Sequence, residues 1–261
     1  MDVLGAVTEQ GVTERRVDFP SPRGVVPGIV WVPEGAAGPR PLVLLGHGGT
    51  QHKRVPNILA LARRLVRHLG YAAVALDAPH HGDRVPAEER GEDAAARRER
   101  LGLPEWRRRI FSASDQMGEE WRRTLDAVQA LDEVGAGGPV GYWGVSMGTR
   151  FGVPLLAAEP RVTAAVLGLA GLPPEPEDAA FRVAAGSITI PLLFVLQWDD
   201  ELVDRERGIA LYTAFGSAEK TMHVNPGPHV GVPRHEGEEF ERFFLRHLGR
   251  TPAAAASASS I

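Results

Sequence analysis

The chain has 261 residues, of which 43% are hydrophobic, and it contains no cysteine. This length suffices for one domain with a sizeable core, and the lack of cysteine excludes disulfides, thiolate nucleophiles and cysteine-ligated zinc or iron–sulfur centres. The net charge of −4, with lysine and arginine spread along the chain, argues against a nucleic-acid partner.

The two ends of the chain predict its location and its domain limits. The first residues, MDVLGAVTEQ, have an acid where a secretory signal has lysine or arginine, and they lack a long apolar core. No window reaches the roughly 18 consecutive apolar residues of a membrane-spanning helix. We therefore expect a cytoplasmic protein without a membrane partner. Because the end of the chain is low in complexity, we expect one domain over 1–249 and a disordered tail over 250–261.

Strands and helices are predicted to alternate along the chain. The segment 17–32 around SPRG reads as an antiparallel hairpin, and short apolar runs that follow it read as buried parallel strands: PLVLLG, AAVALD, PVGYWG, AAVLGLA, PLLFVL and KTMHV. Helical periodicity lies between these runs, first from Pro56 to a stop at Gly70, then before Gly135 and before Gly249. This alternation predicts a mostly parallel, doubly wound α/β sheet whose ligands bind beyond the carboxyl ends of the strands.

A serine between two glycines follows the strand PVGYWG. Ser146 is predicted to lie on a tight strand-to-helix turn, where Gly144 and Gly148 allow close approach of the neighbouring backbone. A serine that only caps the helix explains this short pattern equally well. Ser146 is nevertheless a candidate nucleophile.

A glycine-rich turn, LLGHGGT, follows the first parallel strand. Backbone N–H groups held towards one point stabilise the negative charge that acyl transfer builds on a carbonyl oxygen. We assign these donors to the N–H groups of Gly49 and Met147, with Gly48 or Thr50 as alternatives to Gly49. His47, in the same turn, is expected to tie the loop down by hydrogen bonds.

Two further turns supply an acid and a base. In FVLQWDDELVD, Asp199 or Asp200 is placed to orient a histidine, whereas Asp204 is better placed to cap the following helix. In HVNPGPHVGVP, His229 lies in a loop of glycine and proline that holds a side chain while leaving it accessible. His229 is therefore the candidate general base.

The chain order serine, acid, histidine after a glycine-rich turn resembles the α/β-hydrolase superfamily, and most closely its dienelactone-hydrolase-like and esterase-like members. The resemblance covers roughly 15–249. The family pattern Gly-x-x-Asp-x-x-Val-Pro falls on Gln197, Asp200, Val203 and Asp204, which favours Asp200 over Asp199. Gln197 and Asp204 depart from that pattern, and Pro154 is expected to kink or shorten the helix after Ser146.

The resemblance implies a serine hydrolase that cleaves a small or medium carboxylic ester, a lactone or a thioester through an acyl-enzyme, without a metal or organic cofactor. Ser146 stands where dienelactone hydrolases have cysteine, which favours ordinary ester or thioester cleavage. Acyl transfer and carbon–carbon bond hydrolysis use the same residues and stay open. A ligand-binding protein that kept the fold and lost turnover is the alternative from another class.

An insertion over about 80–117 is predicted to form a lid, and 171–189 a second, shorter rim. The apolar side chains of the lid over 80–117 either face the pocket or anchor this segment to the sheet. The candidate pocket residues are His81, Trp106, Phe111 and Trp198. The arginines of the lid are candidates for recognising a carboxylate or phosphate on the substrate, but pairing with the nearly equal number of acids in the same segment is favoured. A divalent metal on His80, His81 and Asp83 is disfavoured, because no further ligand lies at a recognised spacing.

Overall fold

The computed structural model describes residues 1–174 and 177–249 of the chain. Nine strands in these ranges form one sheet: β1 (Asp2–Glu9), β2 (Val12–Ser21), β3 (Gly24–Pro33), β4 (Leu42–Gly46), β5 (Ala72–Leu76), β6 (Val140–Val145), β7 (Val162–Gly168), β8 (Leu192–Gln197) and β9 (Lys220–Asn225). The helices are α1 (Pro56–Leu69), α2 (Ala94–Ser112), α3 (Ser114–Gln129), α4 (Met147–Ala158), α5 (Glu177–Ser187), α6 (Arg205–Ala214) and α7 (Glu236–Leu248).

The strand order is β1-β2-β3-β5-β4-β6-β7-β8-β9. Strands β4 to β9 are all parallel to one another. Strands β1, β2 and β3 each pair antiparallel with the next strand in the sheet, and β3 pairs antiparallel with β5. The predicted hairpin and the mostly parallel, doubly wound sheet are therefore confirmed. Strand β1, which the sequence reading did not predict, is an addition. Its side chains are almost all exposed, so it lacks the apolar run by which the other strands were recognised.

Helices cover both faces of the sheet, and each face has its own apolar core. Alternate residues of β4 enter different cores: Leu42 and Leu44 belong to one, and Val43 and Leu45 to the other. This alternation follows from the two-residue period of a strand. Side chains of α3, α4, α5 and α6 complete the first core, and those of α1 and α7 the second. Burial on both faces explains why the central strands are continuous apolar runs.

Two helices end or begin where the residues predict. Helix α1 has Pro56 in its first turn and stops at Gly70, which has a φ of 70° and donates to the last carbonyls of the helix. Helix α4, in contrast, continues through Pro154 to Ala158, so the expected shortening at that proline does not occur. Its buried side chains hold the last turn in place against the first core.

The predicted insertion after β5 is largely helical. Two short 3₁₀ turns lead into α2, which is interrupted at Gly102, where φ is 73° and ψ is 157°. Helix α3 begins at Ser114, inside the range of about 80–117 predicted for the insertion, and Asp115 adds a favourable negative charge to its first turn. The predicted tail, 250–261, lies outside the described residues. None of the helices in 1–174 and 177–249 is both long and apolar enough to cross a membrane.

Candidate active site

Ser146 occupies a strained turn between β6 and α4, with φ of 56° and ψ of −117°. The glycines on both sides make this turn possible. A Cβ on Gly148 would lie 2.4 Å from the carbonyl oxygen of Gly46, and one on Gly144 would lie 2.9 Å from the carbonyl carbon of Gly148. The buried hydroxyl of Tyr142 donates to the Gly148 carbonyl at 2.6 Å and closes the turn from below. Steric limits therefore require glycine at both positions.

A threonine missed by the sequence reading holds the same turn. The hydroxyl of Thr149 is fully buried, accepts from the N–H of Gly168 at 2.9 Å, and lies 2.6 and 2.8 Å from the carbonyls of Gly168 and Gly144. The N–H of Ser146 also donates to the carbonyl of Gly168 at 2.9 Å. The strained serine is thereby tied to the end of β7.

Three side chains distant in sequence meet at the carboxyl edge of the sheet. Nδ1 of His229 lies 2.7 Å from Oδ2 of Asp200, and Nε2 of His229 lies 3.0 Å from Oγ of Ser146. Because an ionised carboxylate only accepts, Nδ1 carries the proton and Nε2 is free to accept from the serine hydroxyl. His229 is only 7% exposed. The arrangement can therefore pass a proton from Ser146 to His229.

The loop after β8 fixes the acid of this group. Oδ1 of Asp200 accepts from the N–H groups of Leu202 and Val203, both at 2.8 Å, which leaves Oδ2 for His229. Glu201, which the sequence reading did not single out, accepts from the N–H of His229 at 2.9 Å, and this bond lowers the pKa of Glu201.

Neighbouring aspartates in this loop have other partners. Oδ2 of Asp199 accepts from the N–H of Gly227 at 3.0 Å, so Asp199 joins the loop after β8 to the loop after β9. Asp204 accepts from the N–H of Arg207 at 3.0 Å and caps α6, as its position in the sequence predicts. Of the two adjacent acids, Asp200 is the one that contacts His229.

The backbone N–H groups that the sequence offers as oxyanion donors differ in their hydrogen bonds. Gly48 donates to Oε1 of Gln51 at 3.0 Å, whereas the N–H groups of Gly49, Thr50 and Met147 have no acceptor within the described ranges. Gly49 and Met147 are neighbours, since a Cβ on Gly49 would lie 3.8 Å from the Cβ of Met147. The contacts therefore favour Gly49 over Gly48 as a donor beside the serine.

His47 sets the orientation of the glycine-rich turn. Its Nδ1 donates to the carbonyl of Gly48 at 2.8 Å, and its Nε2 accepts from the N–H of Ala78 at 3.1 Å. Burial, aided by the charge of His81, lowers the pKa of His47 to about 3, so the ring is neutral at physiological pH. The carbonyl of Gly48 and the N–H of Gly49 belong to one peptide group, so His47 orients that N–H.

Comparisons with solved structures agree with this fold. A cold-adapted esterase from an Arctic intertidal metagenomic library, solved in complex with polyethylene glycol, is 34% identical. The match covers 95% of this chain and 100% of the esterase, with a TM-score of 0.80. The chain belongs to the α/β-hydrolase superfamily. The family resemblance found in the sequence is therefore confirmed, and the protein is an esterase-like hydrolase.

More distant hydrolases share only the fold. Acetyl xylan esterase from Paenibacillus sp. R4 is 19% identical with a TM-score of 0.72, over 94% of this chain and 88% of that enzyme. Dienelactone hydrolase from Anabaena variabilis is 19% identical with a TM-score of 0.58, over 92% of this chain and 100% of that enzyme. No protein-family model and no curated protein matches the sequence of this hydrolase.

The four candidate pocket residues of this hydrolase lie in different surroundings. Nε2 of His81 lies 2.7 Å from the carbonyl of Gly49, and the His81 ring meets Trp106 edge-on at 5.4 Å, so both flank the glycine-rich turn. Burial lowers the pKa of His81. Phe111 instead lies under the guanidinium of Arg150, a residue of α4. Trp198 is 49% exposed and has the guanidinium of Arg205 4.0 Å from its ring centre.

Asp83 belongs to the group of His80, His81 and Asp83 that the sequence disfavours as a metal site, and it is bound to Lys53. Nζ of Lys53 lies 2.6 Å from both Asp83 and the fully buried Asp77, which joins the loop after β4 to the insertion. Within 1–174 and 177–249, no cluster of three or more histidine or acidic side chains is arranged to hold a metal ion.

The arginines of the insertion pair mainly with acids of the insertion and of α3. Arg84 binds the buried Glu120 with two hydrogen bonds of 2.7 and 2.9 Å. Similar pairs join further arginines of α2 to acids of the same insertion: Arg100 to Glu92, Arg108 to Glu105, and Arg109 to Glu89. The pairing expected for the arginines of the insertion is therefore present.

Proposed function

We propose that this hydrolase cleaves a small or medium carboxylic ester, a lactone or a thioester through an acyl-enzyme formed on Ser146. The observation that carries the proposal is the pair of hydrogen bonds that joins Ser146 to His229 and His229 to Asp200. The N–H groups of Gly49 and Met147, for which 1–174 and 177–249 provide no acceptor, add support.

In the first half-reaction, Oγ of Ser146 attacks the carbonyl carbon while Nε2 of His229 takes the hydroxyl proton. Asp200 stabilises the imidazolium that results. The carbonyl oxygen becomes an oxyanion and accepts from the N–H groups of Gly49 and Met147. The bond to the leaving group then breaks, and His229 returns its proton to the departing oxygen or sulfur.

In the second half-reaction, His229 removes a proton from water, which attacks the acyl carbon on Ser146. The carboxylic acid leaves when His229 protonates the serine oxygen, and the resting enzyme is restored. No step needs a metal ion or an organic cofactor.

The surroundings of these groups favour charge separation at the serine. The N–H of Met147 lies at the N-terminus of α4, where the helix dipole is positive and stabilises a developing anion. His229 and Asp200 are nearly inaccessible, with side-chain exposures of 8% and 4%, so water weakens their interaction little. The oxyanion and the imidazolium are thus formed in a preorganised environment.

A fluorophosphonate probe tests the nucleophile. Wild-type protein should be labelled with one equivalent, and Ser146→Ala should show no labelling, whereas Ser187→Ala, at an exposed serine of α5, should react like wild type. A wild type that resists the probe would favour the non-catalytic binding protein instead.

A substrate panel tests the reaction class. Para-nitrophenyl esters of increasing acyl length, lactones and acyl thioesters should be cleaved with rates that depend on Ser146. Release of free acid in water, with no acyl product when an added alcohol or amine is present, distinguishes hydrolysis from acyl transfer. Predominant transfer to the added nucleophile would overturn the hydrolase assignment.

A further inference from the structure

Arg150 stands one helical turn after Ser146 on α4. Residues four apart share a helix face, and the N–H of Arg150 donates to the carbonyl of Ser146 at 3.2 Å, so both residues lie on one face of α4. Its guanidinium carbon lies 5.6 Å from the ring centre of Phe111 and 5.2 Å from that of Phe181. These rings belong to α2 and α5, the two segments inserted at the carboxyl edge of the sheet. Arg150 therefore lies where both insertions contact α4, the helix that follows Ser146.

Arg150 lacks an acidic or carbonyl partner in the part of the chain that the structure describes. Its Nη1 is buried and has no hydrogen bond there. Other partly buried arginines have partners: Arg84 binds Glu120, Arg161 binds Glu159, and Arg207 donates to backbone carbonyls. Burying an unpaired cation is costly, and a bound anion would remove that cost.

The surroundings of Arg150 are positive. Burial, together with the charges of Arg107 and Arg207, lowers the pKa of Arg150 to about 10, so it still carries its charge at neutral pH. Arg107 lies one turn before Phe111 on α2 and has no ion pair within the described ranges. The carbonyls that bind Arg207 do not neutralise its charge.

We propose that Arg150 binds a carboxylate carried by the substrate, so that the enzyme selects esters with an anionic group a few carbon atoms from the scissile carbonyl. Phe111 and Phe181 hold the guanidinium, and its in-plane N–H groups match the two oxygens of a carboxylate. Arg107 adds longer-range attraction. This inference rests on the proposed function, because it names the substrate class of the same site.

Two matched pairs of esters test the selectivity. Monoethyl adipate and ethyl hexanoate differ by a carboxylate in the acyl part, and 4-acetoxybutanoate and butyl acetate by one in the alcohol part. In at least one pair, Arg150→Gln should lower kcat/KM for the anionic ester about 30-fold, mainly through KM, since a charge-assisted hydrogen bond is lost. The neutral ester should change less than about 3-fold.

Two further variants separate charge from packing. Arg150→Lys should recover part of the preference for the anionic ester, whereas Arg242→Gln, at an exposed arginine of α7, should behave as wild type. An equal loss with anionic and neutral esters in Arg150→Gln would overturn the proposal, because it would reveal a packing role.

Binding of adipate keeps this test independent of turnover. Calorimetry on Ser146→Ala should show adipate binding that is lost when Arg150→Gln is added. If esters are hydrolysed through Ser146 but adipate does not bind and neither pair shows selectivity, the Arg150 assignment fails alone. If the fluorophosphonate and ester experiments fail while adipate still binds through Arg150, the proposed hydrolysis fails and the anion site stands.

Discussion

The turn at Ser146 and the insertion after β5 lie at the same edge of the sheet, but different forces hold them. The turn is fixed by hydrogen bonds between neutral groups, as in the bonds of Thr149 to Gly144 and Gly168. It is also fixed by close packing of Gly148 against the backbone of Gly46. Ion pairs fix much of the insertion, as in the contact of Arg84 with Glu120. The atoms of the proposed reaction are thus positioned by contacts that salt and mild pH changes barely affect, whereas the insertion depends on charge.

This contrast separates rate from selectivity. Small displacements of a nucleophile or an oxyanion donor cost large factors in rate, so rigid packing belongs at Ser146. A charged insertion can instead recognise a charged substrate, and Arg150 on α4 contacts Phe111 of the insertion. Four further changes test the contrast.

The largest effect on kcat is expected for a substitution in the group of Ser146, His229 and Asp200. Asp200→Asn should lower kcat about 10⁴-fold with little change in stability, because the amide no longer fixes the correct tautomer of His229. Asp199→Asn is the matched control and should keep kcat within about 10-fold, since Asp199 contacts a backbone N–H rather than His229. Steady-state kinetics measures both, and a larger loss at Asp199 would reverse the assignment of the acid.

A buried ion pair tests the insertion. Arg84→Gln should lower the free energy of unfolding by about 3 kcal/mol, because it leaves the carboxylate of Glu120 buried without its cation. Arg108→Gln, which removes an exposed pair with Glu105, should leave stability unchanged. Urea unfolding at two salt concentrations provides the measurement. Equal effects of the two substitutions would mean that the insertion does not depend on its buried pair.

A single methyl group tests the close packing at Ser146. Gly148→Ala should cost about 2 kcal/mol of stability and about 100-fold in kcat, because the new Cβ would lie 2.4 Å from the carbonyl oxygen of Gly46. Gly137→Ala is the control, since nothing lies within 4 Å of a Cβ there. Full activity in Gly148→Ala would show that the turn tolerates more movement than its contacts suggest.

The smallest effect concerns pH. The pKa of His47 falls from its ordinary value of 6.5 to about 3 in the folded protein. Between these values the unfolded chain takes up a proton that the folded protein does not, so stability decreases as the pH falls. His47→Gln should remove about 1 kcal/mol of the stability loss between about pH 7 and about pH 5.5.

Urea unfolding of the wild type, His47→Gln and His52→Gln at the two pH values measures this difference. His52 is an exposed histidine of the same loop, and its variant should keep the pH dependence of the wild type. Identical pH dependence in all three proteins would contradict a buried, neutral His47.

Much of the fold was predictable because strands buried on both faces leave a clear mark in the sequence. The runs that became β4 to β8 are continuously apolar, and Pro56 and Gly70 delimit α1. Strand β1 left no such mark, because its side chains are exposed on both sides. Of the two effects expected of Pro154, a kink or a shorter helix, the shortening does not occur, because buried side chains after the proline pack in the first core.

For the candidate site, the sequence indicated residue types and their order but not the supporting contacts. Ser146, Asp200 and His229 follow strand ends, and parallel strands bring their carboxyl ends to one edge. Thr149 and Glu201 have no motif, because their partners are backbone groups from other segments. Arg150 was missed for a related reason: its isolation from the acids of 1–174 and 177–249 is a property of three-dimensional space.

The sequence by itself therefore determined the doubly wound sheet, its glycine-bounded serine and the chain order of the three candidate catalytic residues. These features depend on hydrophobic periodicity and on backbone conformations that few residues can adopt. The family pattern favoured Asp200 over Asp199, but only the tertiary structure showed the contact of Asp200 with His229, bound the N–H of Gly48 but not that of Gly49 to Gln51, and placed Arg150 beside two aromatic rings. Such choices depend on distances of a few ångströms between segments far apart in the chain.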